Sequence, residues 1–158
     1  MRYFLAIVAV IVLFLLIITI VKFIQDNSEN KKIKKRLKNI FKELENEYEN
    51  FIQRILDYEL IKNENFNLDI QQITSQAITI FKPYIESLFA IANSTKITKS
   101  LNLHIKSEHF KNLYFITEKL LMYKLPLTTF EKDELYQAFT NAIKADISKR
   151  LLQLQTGI

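Results

Sequence analysis

Glycine is almost missing from this chain. The single copy among 158 residues, Gly157, is the penultimate residue. Tight hairpins, phosphate-cradling loops and strained nucleophile turns depend on backbone conformations that glycine adopts without steric cost. Neither G-x-x-x-x-G-K nor G-x-G-x-x-G occurs, so the familiar nucleotide loops are excluded. Proline is scarce as well, at Pro83 and Pro126 only. Long helices joined by polar turns need little of either residue, and the composition predicts an all-α fold. Cysteine is absent. Its absence removes disulfides, thiolate metal sites, thiol catalysis and a lipidated N-terminal cysteine from consideration.

Charge is missing from residues 3–21, a run of 19 that is almost wholly Ile, Val, Leu, Phe and Ala. As a helix this run spans ~28 Å, close to the hydrocarbon thickness of a bilayer. It is too long for the apolar region of a cleaved signal peptide, and bulky Ile20, Val21 and Phe23 stand where a signal peptidase needs small residues. A core helix rarely reads apolar on every face over such a length. We therefore expect a retained single-pass anchor over residues 1–24.

Positive charge then collects in one place. Within residues 31–38 (KKIKKRLK), Lys31, Lys32, Lys34, Lys35, Arg36 and Lys38 carry six charges with no acid between them. Residues 39–158 hold 14 Lys and Arg against 15 Asp and Glu. The net charge of +5 thus belongs to a juxtamembrane segment, residues 25–38, and not to the domain that follows. Nucleic-acid binders spread basic charge over a folded face, so a nucleic-acid partner is not expected. A basic block beside an anchor suits anionic headgroups, and these six residues are the expected membrane-surface contact. The same excess predicts a cytoplasmic C-terminal domain on a bacterial-type inner membrane.

Residues 26–30 (DNSEN) read either as a hinge or, with Ser28 as a cap, as the start of a new helix. Beyond them Ile33, Leu37, Ile40, Leu44, Tyr48, Phe51, Ile55 and Tyr58 recur every three or four positions, the stripe of a long amphipathic helix. Residues 33–55 of this stripe are a possible interaction surface. Glu43, Glu45, Glu47 and Glu49 beside it read as a solvated face. A break at 63–67 precedes a second helix over 69–93, with Asp69 and Gln72 resembling a capping box and a kink expected at Pro83. Lys82, Pro83 and Glu86 argue against a second membrane passage there. Ile97, Leu101, Leu103 and Ile105 alternate like a strand, but no partner strand is visible, so we read a loop packed on the helices. Ser107 is placed to cap a third helix over 108–125, ended by Pro126. Thr128 and Glu131 form a capping box for a last helix reaching about 154, with Leu135, Phe139, Ala142, Ile143, Ile147, Leu151 and Leu154 facing inward. The expected architecture is the anchor, the amphipathic helix and a small bundle of three to four helices over residues 39–158.

Catalytic and metal signatures are weak. His104 and His109, with Glu108 between, miss the His-x-x-Glu-His zinc spacing by one residue. On a helix that separation turns the rings well apart. No enzyme activity, cofactor or metal is expected. The function predicted is a membrane-anchored helical interaction or tethering protein, an accessory subunit of a membrane assembly, with lipid and either a protein partner or a second copy as its contacts. Two other readings keep the fold: an exported bundle binding a small ligand or envelope component, and a small membrane-active toxin or its antagonist.

Overall fold

The computed structural model describes residues 2–62, 69–123 and 126–156. Within them lie four α-helices and no strand: α1 (Arg2–Lys62), α2 (Ile70–Ser94), α3 (Glu108–Met122) and α4 (Thr129–Thr156).

The first finding concerns residues 26–30. Neither a hinge nor a new start occurs there, because α1 runs unbroken for 61 residues. No proline or glycine interrupts the segment, and polar residues cost a helix only tenths of a kcal/mol each. Extending an existing helix is far easier than nucleating a second one. The N-terminal part of α1 is apolar enough to cross a membrane and is not covered by the rest of the chain. Ile11, Phe14, Ile18 and Phe23 are all exposed. Thr19 returns its hydroxyl to the Leu15 carbonyl at 2.8 Å, so its one polar side chain adds no unpaired donor to that surface. The expected break at 63–67 lies outside the described residues.

Asp69 caps α2 by accepting from the backbone N–H of Gln71 at 2.9 Å and Gln72 at 3.2 Å. The helix continues through Pro83. Thr79, whose carbonyl loses its usual donor to the proline, is exposed, so water can take that bond. α3 starts after Ser107, but the Ser107 side chain makes no capping bond; its hydroxyl turns to His109 instead. At α4 the Glu131 carboxylate accepts from the backbone N–H of Thr128 at 2.7 Å and from the Thr128 hydroxyl. The back-reaching half of the expected capping box is therefore present.

Residues between α2 and α3 form a loop, as their unpaired alternation implied. Its N–H groups are tied to α3 and α1, not to a sheet. Ile97 donates to the Leu121 carbonyl at 2.9 Å, Leu101 to Glu118 at 2.6 Å, Leu103 to the Tyr114 hydroxyl at 3.1 Å and Ser107 to Glu45 at 2.7 Å. Asn102 takes the left-handed conformation (φ 48°), which asparagine tolerates better than most residues. The strap buries Ile97, Leu101 and Ile105.

These bonds fix the running directions. Ile97 against Leu121, Leu101 against Glu118 and Leu103 against Tyr114 lay the strap along α3 in the opposite sense. Lys99 reaches Asn27 of α1 at 2.9 Å, and Leu127 donates to the Asn93 side chain at 2.9 Å. The end of α2, the end of α3 and the start of α4 therefore gather at the level where α1 leaves its apolar run. Tyr48 and Asp146, bonded at 3.1 Å, mark the far level.

All four helices feed one core, which includes Leu37, Phe41, Leu44, Tyr48, Phe81, Leu88, Phe110, Leu120, Phe139 and Ile143. Phe110 stacks on Phe139 with centroids 6.0 Å apart, and Tyr48 meets Phe110 edge-on at 5.2 Å. The stripe expected as a contact surface is largely spent here. Ile33, Leu37, Leu44 and Tyr48 are buried in the chain's own core, and Ile40, Phe51 and Ile55 are half-buried against it. Phe41 and Ile52, outside the expected stripe, are buried too. The Tyr58 and Leu154 side chains lie outside the described residues.

Candidate functional site

A chain of polar side chains crosses the far half of this core. Asp146 stands on α4 between the buried Ile143 and Ile147 and is itself only 7% exposed. Its carboxylate accepts from the Tyr48 hydroxyl at 3.1 Å and from Arg150 Nε at 2.8 Å. Its second oxygen lies 3.5 Å from His109 Nδ1. Arg150 turns its remaining nitrogens onto Glu49 in a two-pronged contact of 2.8 and 2.5 Å. The helices dictate this layout. Tyr48 and Glu49 are neighbours on α1, one facing the core and one its rim. Asp146 and Arg150 are one helical turn apart on α4 and point the same way.

The electrostatics follow from burial and pairing. Burial, then the neighbouring Asp146, pushes the Tyr48 hydroxyl up. The hydrogen bonds from Arg150 hold the Glu49 carboxyl below its ordinary range, and the bond to Glu49 raises the Arg150 guanidinium. Burial pushes the His109 imidazole down, against the pull of Asp146. The cluster thus joins a cation, two carboxylate side chains and a histidine held towards its neutral form.

Serine, histidine and aspartate meet here, which invites comparison with a hydrolytic triad. Ser107 Oγ lies 2.6 Å from His109 Nε2, but also 3.2 Å from Nδ1. The ring nitrogens are ~2.2 Å apart, and a hydroxyl on the Nε2 lone-pair axis would stand well over ~4 Å from Nδ1. The Ser107 oxygen therefore lies well off the Nε2 lone-pair axis, away from the path of proton transfer. An enclosed cavity among Ile52, Ile55, Leu56, Ile73, Ile147 and Arg150 holds only about 10 Å³, the space of one water at most. The geometry suits a structural clamp between α1, α3 and α4.

His104 does not share in the cluster. It is exposed and lines an open depression of about 420 Å³ with Ile105, Lys111 and Phe115. Among the described residues no three His, Asp or Glu side chains are grouped to hold a metal ion.

The basic residues lie elsewhere. Lys31, Lys32, Lys34, Lys35, Arg36 and Lys38 are all exposed. At 100° per residue they fan over the side of α1 opposite Ile33 and Leu37. Because α1 is continuous, Lys31 stands ~15 Å and Lys38 ~25 Å along the axis from Val21.

Sequence reasoning missed the Asp146 cluster. One signal was present: an acid at position 146, inside the apolar series Ala142, Ile143, Ile147. Comparison of the chain with protein-family models, with curated proteins and with solved structures finds no match.

Proposed function

We propose that this protein is a membrane-anchored tether, in which α1 serves at once as the membrane span and as one wall of a helical bundle. The unbroken course of α1 carries the reading. Its first part is apolar and uncovered, and its later part contributes Ile33, Leu37, Phe41, Leu44 and Tyr48 to the common core. An anchor of this kind offers no swivel. It holds the bundle at one height and one rotation above the lipid, and confinement to a surface raises the effective concentration for a second contact. That contact is a protein of the same membrane or another copy of this chain.

The six cations of α1 act in this scheme as orientation determinants, favouring a cytoplasmic bundle. The headgroup layer is roughly 5–7 Å thick on each side. In an upright helix Lys31 stands beyond it, so the attraction to anionic lipid acts through solution, over a screening length of ~8 Å.

Topology tests the proposal. Ser148 is exposed at the far level of the fold, and the chain has no native cysteine. Ser148→Cys should stay unlabelled by an impermeant maleimide in intact bacterial cells and react after lysis. Labelling in intact cells would reverse the orientation and favour an envelope-facing partner. Recovery of the chain in the soluble fraction would remove the anchor.

A further inference from the structure

We propose that the end of the bundle nearest the anchor is a lipid-docking face, resting on the bilayer interface through Phe130, Met122, Lys96 and Lys99. The inference depends on α1 spanning a membrane, and the experiment below separates the two.

Asn27 lies six residues beyond Val21, ~9 Å along a continuous helix. Lys99 is hydrogen-bonded to Asn27, which brings the strap to the outer edge of the headgroup layer. The bonds of Ile97 to Leu121 and of Leu127 to Asn93 place the end of α3 and the start of α4 at the same level. Two large apolar side chains stand uncovered there. Phe130 is 70% exposed and Met122 40%. Neither helps the core, and both belong to helix ends that the anchor holds against the membrane. Lys96 and Lys99, on the strap that reaches this level, are exposed as well. Long basic side chains and apolar rings are what the interfacial zone accommodates. Asp26 and Glu29 on α1 share this level, so apolar contact leads and the electrostatic share is small. The anchor itself selects the occupant: the surface it brings to this face is the bilayer it is embedded in.

The chain contains no tryptophan, so single tryptophans report position cleanly. The full chain, reconstituted into vesicles that hold phospholipid with brominated acyl chains together with phospholipid carrying a nitroxide on its headgroup, would carry Phe14→Trp, Phe130→Trp or Ser148→Trp. Bromine quenches tryptophan emission at the hydrocarbon and the nitroxide quenches it at the headgroup layer, each at short range. F14W, in the apolar run, and F130W should both lose emission relative to ordinary vesicles, while S148W should not. M122W repeats the test from the neighbouring helix end should F130W fold poorly. Unquenched F130W and M122W with quenched F14W would overturn the docking face and leave the anchor standing. Unquenched F14W would overturn the anchor, and the docking face with it. Equal quenching of F130W and S148W would place the bundle on its side and overturn end-on docking.

Discussion

Removing the Asp146 carboxylate is the sharpest perturbation the structure offers. The side chain is buried, and three partners converge on it. In Asp146→Ala the Tyr48 hydroxyl, within a residue only 1% exposed, loses its acceptor with no route to solvent. A stranded buried hydroxyl costs ~1–3 kcal/mol. Arg150 keeps both bonds to Glu49 and is partly exposed, so the penalty of up to ~5 kcal/mol for orphaning a buried charge does not apply in full. We expect Asp146→Ala to lower the unfolding free energy by ~2–4 kcal/mol, including a small cavity. Tyr48→Phe alone should cost ~1–2 kcal/mol, because it removes a donor to a charged acceptor that retains Arg150. In the double variant the stranded hydroxyl is gone, so the losses should fall short of the sum by ~1–2 kcal/mol. Urea unfolding of the full chain in detergent micelles, followed by circular dichroism, measures all three. Additive losses would refute the account, as would an Asp146→Ala variant within ~0.5 kcal/mol of the parent, the usual range of neutral surface changes.

Two further outcomes follow from His109 and Glu118. His109 is held below its ordinary value by burial, so the unfolded chain takes up its proton first as pH falls below 6.5. Its stabilising effect is full above that pH and is lost as pH descends towards the depressed folded value, with a slope of at most ~1.4 kcal/mol per pH unit. His109→Gln should flatten the stability profile below pH 6.5; an unchanged slope there would show that another group titrates. Glu118 accepts from the Leu101 N–H at 2.6 Å, Ser100 at 2.9 Å and Tyr114 at 2.7 Å. Burial pushes its carboxyl up, but these bonds outweigh burial and hold it below the ordinary range. Glu118→Ala should therefore free the strap and speed hydrogen exchange at the Leu101 amide by ~10-fold or more, the effect of losing at least ~1.4 kcal/mol of local protection; parent-like exchange would mean that Ile97, Leu101 and Ile105 hold the strap unaided.

How far these features were legible depended on their range in sequence. Local signals served well: the uncharged run of residues 3–21, the acceptor at Asp69, the Thr128–Glu131 pair and the three- and four-residue spacing that marks each helix. The stripe on α1 was right in period and slightly wrong in rotation. Where two apolar residues adjoin, as Ile40 with Phe41 and Phe51 with Ile52, periodicity permits either, and only the opposing elements decide: Phe41 meets Tyr114 of α3, and Ile52 lies beside Ile73 of α2 and Ile147 of α4. Both times the second residue is the buried one. Residues 26–30 misled because their polarity resembles a linker, whereas a helix propagating from both sides tolerates such residues. The Asp146 cluster spans 98 residues to Tyr48, and the Arg150–Glu49 contact spans 101. Glu49 looked like part of a solvated face, since no local pattern marks a partner so distant.

The continuous α1 also ties the two halves of the reading together. In a chain with a loose linker, the direction in which a domain faces is independent of its anchor. Here each residue of α1 fixes ~100° of rotation and ~1.5 Å of height for everything packed against it. In the proposed tether the core contacts of Ile33, Leu37 and Phe41 would therefore set where the end face carrying Lys99, Met122 and Phe130 meets the lipid, and where the opposite end, with its clamp of Tyr48, Asp146 and Arg150, stands away from it. The clamp joins α1 to α4 across the far end, while the Asn27–Lys99 bond joins α1 to the strap at the near end. Held at both levels, α1 cannot peel away from the bundle without breaking a buried carboxylate's bonds. On this account the charged cluster acts mechanically, as the fastening that makes the anchor and the bundle a single lever.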